Sequence, residues 1–137
     1  MHCTLDGHAV EALGERIAEQ LKEQVNGIAQ RLSAKGDMAD SLLAWFELEV
    51  MCAMKGVGQS LLAGLCTLLV DRYAVAEIRC ECGGMAVYQR QREGQTRTLF
   101  GDVTLKRPYY LCANCHQGQC PLDEQLGFCA GGKYRAD

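Results

Sequence analysis

Two close pairs of cysteines frame the second half of this chain: Cys80-Glu81-Cys82-Gly83-Gly84 and Cys112-Ala113-Asn114-Cys115. Thiolates are soft ligands, and four of them at tetrahedral corners make the closed structural site that a zinc ion favours. Protein chains deliver such a set as two pairs on turns, brought together by the strands between them. The spacing therefore predicts one Zn2+ held by Cys80, Cys82, Cys112 and Cys115. Gly83 and Gly84 suit a tight turn that aims backbone N–H groups at a sulfur. The first pair has one intervening residue where two are usual, so either its turn is tighter or another ligand substitutes, with His116 and Cys120 at hand. Four thiolates leave no open position, and no Glu or His stands in a motif that would activate water, so a catalytic metal is not expected. A redox dithiol at Cys112 and Cys115 would want a βαβ pattern around it, which the sequence lacks.

The remaining cysteines read differently. The chain of 137 residues carries nine cysteines, an odd number that does not suit a disulfide framework. Cys3, Cys52, Cys66 and Cys129 are scattered, and Cys52 and Cys66 fall in apolar helical stretches where a free cysteine behaves as a small buried hydrophobe. The N-terminus has neither a basic nor an apolar leader segment, and the apolar run from Ser60 to Val70 is short of the ~20 residues a bilayer needs. These features predict a cytoplasmic protein that does not enter a membrane.

Charge is unevenly spread. The net charge of −3 is the sum of −5 over residues 1–78, +3 over 79–111 and −1 over 112–137. The cysteine-bounded stretch is thus the basic one, with Arg90, Arg92, Arg97, Lys106 and Arg107 interspersed with Tyr88, Tyr109 and Tyr110. Such a hairpin can follow a phosphate backbone through salt-sensitive contacts, or it can be an ordinary solvated face.

These residues need elements to position them. Val10, Leu13, Ile17, Leu21, Val25, Ile28 and Leu32 recur every three or four positions, which predicts an amphipathic helix from Ala9 to about Ala34, preceded by Asp6 or Gly7. The near-heptad spacing would let this N-terminal helix pair with the next helix or, in a homodimer, with a second copy. A second helix is expected over 40–55, capped by Asp37 or Asp40, and a third over 59–76, with Gly56 and Gly58 breaking or kinking the chain between them. If those glycines are tolerated, residues 40–76 form one long helix. Beyond Arg79 the period shortens to that of strands: Met85 to Gln91, Arg97 to Phe100 and Val103 to Leu111. Gly94 and Gly101-Asp102 supply the turns, and Pro108 marks an edge or a bulge. Pro121-Leu122-Asp123 begins a short turn or helix.

One part of the chain is similar to a known family. Cys80-Glu81-Cys82-Gly83-Gly84, the run from Thr98-Leu99-Phe100-Gly101 through Arg107-Pro108-Tyr109-Tyr110-Leu111-Cys112-Ala113-Asn114-Cys115, and Pro121-Leu122-Asp123 together resemble the N-terminal region of bacterial insertion-sequence transposases of the ISKra type. The resemblance covers residues 78–128 closely and the preceding helices loosely. It implies a zinc-binding, DNA-contacting region that in those transposases precedes a ribonuclease H-like domain with an acidic triad. No acidic residue here matches that triad, so no catalytic residue and no strand-transfer activity carries over.

The expectation is an α+β chain. A helical hairpin or bundle (1–78) would lead into a small three-stranded antiparallel zinc ribbon (79–128) and a loose tail (129–137). It would be a non-enzymatic module that binds Zn2+ and DNA, with a zinc-stabilised protein-interaction module as the alternative.

Overall fold

The computed structural model describes residues 5–35, 41–72, 75–129 and 133–134. It is α+β, two long helices followed by a curled antiparallel sheet. The elements are α1 (Gly7–Ala34), α2 (Leu42–Arg72), β1 (Glu77–Arg79), β2 (Met85–Thr98), β3 (Gly101–Cys112), β4 (Gly118–Gln119), α3 (Pro121–Gln125), β5 (Phe128–Cys129) and β6 (Lys133–Tyr134). Cys3, the caps expected at Asp37 or Asp40 and the tail glycines 131 and 132 lie outside the described residues.

α1 begins where Asp6 accepts a hydrogen bond from the His8 N–H at 3.1 Å, satisfying one of the unpaired donors of the first turn. At the start of α2, the Ala44 N–H donates to the Ser41 hydroxyl at 3.2 Å. The helices run antiparallel, with Leu13 against Gly64, the Gln20 amide donating to the Gly56 carbonyl, and Arg31 donating to Glu49 at 3.0 Å. The break expected at Gly56 and Gly58 is absent. α2 runs through both as one helix, the alternative that tolerates these glycines: Gly58 serves a close approach, and Gly56 has open space beside it. A Cβ on Gly58 would overlap the Phe100 ring, and one on Gly64 would overlap Leu13. As one helix, residues 42–71 are long and apolar enough, by length and composition alone, to cross a bilayer.

The sheet also departs from the three expected strands. Its order is β1-β2-β3-β4, every neighbour antiparallel: two long central strands with a short strand on each side. The first two expected strands are one, because Gly94 lies inside β2, where a Cβ would come within 2.9 Å of the Arg107 guanidinium. The tip of the hairpin is Leu99-Phe100, and Gly101 follows it with φ +102° at the head of β3. Thr98 fastens the turn by donating to the Gly101 carbonyl at 2.7 Å and accepting from the Phe100 N–H at 3.1 Å. The register shift lies in β2 between Tyr88 and Arg90, beside the Gln91–Pro108 pair, and β4 pairs only with Tyr110 and Leu111. Pro108 therefore needs no N–H on its outer side.

Val103, Leu105 and Arg107 alternate inward along β3, which lies against α2, while α2 carries α1 on another face. The helical layer buries Leu13, Ala53 and Val57. At the far end of the sheet Cys80, Ala86, Tyr110 and Cys112 pack as a second cluster with Ile78 beside them.

Candidate metal centre

The four framing cysteines meet at the end of the sheet away from the hairpin tip. Cys80 follows β1, Cys82 sits on the turn into β2, Cys112 ends β3 and Cys115 sits on the turn toward β4. β2 and β3 are hydrogen-bonded neighbours, with Ala86 opposite Cys112, so a long hairpin returns the second pair to the first. Two turns shape the pairs. In the first, the Cys80 N–H donates to the Gly84 carbonyl at 2.9 Å and the Gly83 N–H to the Cys80 carbonyl at 3.0 Å, with Gly83 at φ +91°. In the second, the His116 N–H donates to the Cys112 carbonyl at 2.9 Å and the Cys112 N–H to the Gln117 carbonyl at 3.1 Å. A single residue between Cys80 and Cys82 is enough, because Gly83 takes the left-handed conformation that closes the tighter turn.

The four sulfurs lie within 4.8 Å of one another, Cys80 to Cys115 at 3.6 Å and Cys82 to Cys112 at 3.5 Å. A tetrahedron with metal–sulfur bonds of ~2.3 Å has sulfurs roughly 3.8 Å apart. The set therefore fits one tetrahedral ion. Its surroundings fit thiolates. The Gly84 N–H points at the Cys82 sulfur at 3.4 Å, the Asn114 amide reaches the same sulfur at 3.6 Å, and the Gln119 amide reaches Cys80 at 3.2 Å. Donors aimed at sulfur spread the excess negative charge that four thiolates place around a divalent ion.

Protonation follows the same geometry. The Gly84 N–H, seconded by Asn114 and the neighbouring thiols, lowers the Cys82 thiol to about 6. At Cys115 the Gln117 N–H pulls downward, but desolvation and the other three sulfurs outweigh it and push this thiol up to about 12. One ionised sulfur thus keeps another protonated until a cation arrives.

His116 and Cys120 are not in the cluster. Cys120 instead faces Asp123, Arg107 and Arg92, and burial pushes its thiol up. Cys52 is exposed, against the expectation of a buried hydrophobe, and Cys66 is half-buried with its thiol raised by desolvation. Cys66 lines an apolar cavity of about 250 Å3 between α2 and the hairpin.

The five basic residues do not form one patch. Cross-strand register puts Arg90, Arg92 and Arg107 on one face of the hairpin and Arg97 and Lys106 on the other. Arg107 is buried, ion-paired with Asp123 and set over the Phe128 ring. Arg97 lies 3.9 Å from Asp102, and Lys106 stands opposite Glu93. Arg90 and Arg92 remain exposed, both guanidinium groups within 6 Å of the Tyr109 ring centre, at 5.8 and 5.7 Å. Residue types alone missed Asn114, Gln119 and Asp123. A signal for the first two was present: each amide lies one residue before a cysteine. Compared with known proteins, the chain matches no family model, no curated protein and no solved structure.

Proposed function

We propose that this chain is a non-enzymatic nucleic-acid-binding module whose sheet is stapled by one Zn2+ on Cys80, Cys82, Cys112 and Cys115. The observation that carries the metal part is four sulfurs within 4.8 Å, ringed by N–H donors. Four sulfur ligands saturate a tetrahedral ion, so its role is to join two turns and not to activate a substrate. Zinc is favoured over harder ions by the all-sulfur donor set.

The DNA part rests on Arg90, Arg92 and Tyr109. Two cations beside one aromatic ring can pair with phosphates while the ring offers a stacking surface. The resemblance of residues 78–128 to insertion-sequence transposases points the same way, toward a module of that ancestry without its catalytic domain. Arg97, Lys106 and Arg107 contribute less, since each faces an acidic partner.

Purified protein should retain about one zinc per chain by elemental analysis. It should also bind fluorescent duplex DNA with an affinity that falls steeply as salt rises. Arg90→Glu with Arg92→Glu should abolish that binding and leave the zinc content unchanged. Absence of DNA binding at low salt would refute the nucleic-acid reading and leave the metal reading standing. The second reading, a zinc-stabilised protein-interaction module, is favoured by the overall negative charge and by the apolar surface left open on α2.

A further inference from the structure

α2 is covered on two sides, and a third is bare. α1 lies along Ala53, Val57 and Gly64, and the hairpin tip docks at Gly58 and Gln59. Between these flanks run Leu43, Val50, Met54 and Leu61, at intervals of seven, four and seven residues, which sets them in one row along the helix. They are 68%, 51%, 42% and 39% exposed. α1 adds Leu21 and Val25, exposed by 42% and 59%, because its apolar stripe is wider than the contact it makes with α2. On both helices the bare row is displaced from the contact row in the same rotational sense. Since the helices are antiparallel, the two rows come to the same side of the hairpin and form one continuous apolar face.

The area says what kind of occupant this face needs. A folded monomer of 15.0 kDa exposes about 7,000 Å2, whereas this chain exposes 9907 Å2. Only part of that surplus of roughly 2,900 Å2 lies on the helical face, and the ~800 Å2 each partner gives to a standard interface is well within it. We propose that this face is where two copies of the chain meet, their α1–α2 hairpins closing about a two-fold axis into a four-helix bundle. A two-helix layer with one open side is completed by its own copy, and the contact buries both bare rows at once. A bilayer fits less well. It would have to accept the charged side of α1 (Glu11, Glu15, Glu19 and Lys22) along with α2, since the two helices are packed together. This pairing does not depend on the metal or on DNA.

Sedimentation equilibrium of the zinc-loaded full chain at tens of micromolar should give twice the mass of 15.0 kDa. Met54→Glu with Leu61→Glu should return it to the single-chain mass, with zinc content and helical circular dichroism retained. If that variant loses helicity, Val50→Ala with Met54→Ala serves instead, and roughly tenfold weaker self-association is expected. Glu15→Lys, on the wet side of α1, should leave the dimer intact. A wild-type monomer at this concentration overturns the proposal, and one that sediments with phosphatidylcholine vesicles assigns the face to a bilayer. A dimer indifferent to both pairs of substitutions also overturns it, since two copies would then meet elsewhere.

Discussion

The Gly84 N–H and the Asn114 amide both point at one sulfur, and that asymmetry decides how the cluster responds to acid. Cys82, lowered to about 6, favours its thiolate in the fold. The stabilisation from this ionisation is complete above the ordinary value of 9.0 and is lost as pH falls through about 6. Cys115, pushed up to about 12, keeps its proton across that range and gives it up only to a metal. Zinc binding at neutral pH should therefore release protons, measurable as a dependence of binding enthalpy on buffer ionisation enthalpy. Zinc retention, followed by a chromogenic chelator, should fall as pH drops from 7 toward 5. Asn114→Ala removes one donor to Cys82, so its release midpoint should move to higher pH; an unchanged midpoint would show that the amide does not tune the sulfur. Gly84 carries a steric demand as well. An added Cβ would sit 2.9 Å from the Asn114 Cβ and 3.3 Å from the Cys112 sulfur. Gly84→Ala should cost about 1–3 kcal/mol in chemical denaturation and weaken metal retention together.

At the scale of elements, the three glycines of α2 separate intrinsic propensity from packing. Alanine exceeds glycine by about 1 kcal/mol inside a helix. Gly56 has open space where a Cβ would go, so Gly56→Ala should stabilise by about that amount. At Gly58 a Cβ would overlap the Phe100 ring, a rigid group at the hairpin tip, so Gly58→Ala should destabilise by about 1–3 kcal/mol in spite of its propensity. Opposite signs at positions two residues apart, read from urea midpoints, are the expected result; equal signs would mean that the hairpin does not dock there. The sequence showed that two glycines fall close together, but the partner that needs one of them, Gly58, lies about forty residues away. A break and a crossing point look alike until the fold is known. The same limit explains Gly94, which resembles a turn by residue type and in fact makes room for Arg107 inside β2. The α1 stripe, the strand character beyond Arg79 and the start of α3 at Pro121 were legible because each is encoded by local period or by proline. Arg107 shows the opposite case. Its burial and its pairing with Asp123 of α3 depend on β3 and α3 coming together. Asp123→Ala would strand a buried guanidinium and should cost about 3–5 kcal/mol, seen as a lowered denaturation midpoint.

Across the whole molecule, among the described residues, the helical layer and the far end of the sheet share little. Leu13, Ala53 and Val57 lie between the helices and involve no sulfur, whereas Cys80, Ala86, Tyr110 and Cys112 build the far end of the sheet from the ligands themselves. The strands at that end are short, three residues in β1 and two in β4, too few to persist by hydrogen bonding alone. The Tyr110 hydroxyl, donating to the Val75 carbonyl at 2.7 Å, ties this end to the segment that leaves α2. Metal removal should therefore loosen the molecule from one end. With chelator, amide hydrogen exchange should quicken over 77–88 and 110–119, while the middle of α2 and the hairpin tip around Phe100 keep their protection through the contact at Gly58. Far-UV circular dichroism should lose little helix, and the near-UV signal of Tyr88 and Tyr110, whose rings meet edge to face at 5.8 Å, should fall. Uniform loss of protection across both helices would mean that the metal supports the whole fold. No change at all would mean that hydrogen bonds and packing hold the four sulfurs together without it, and the staple assigned to the ion would have no structural role.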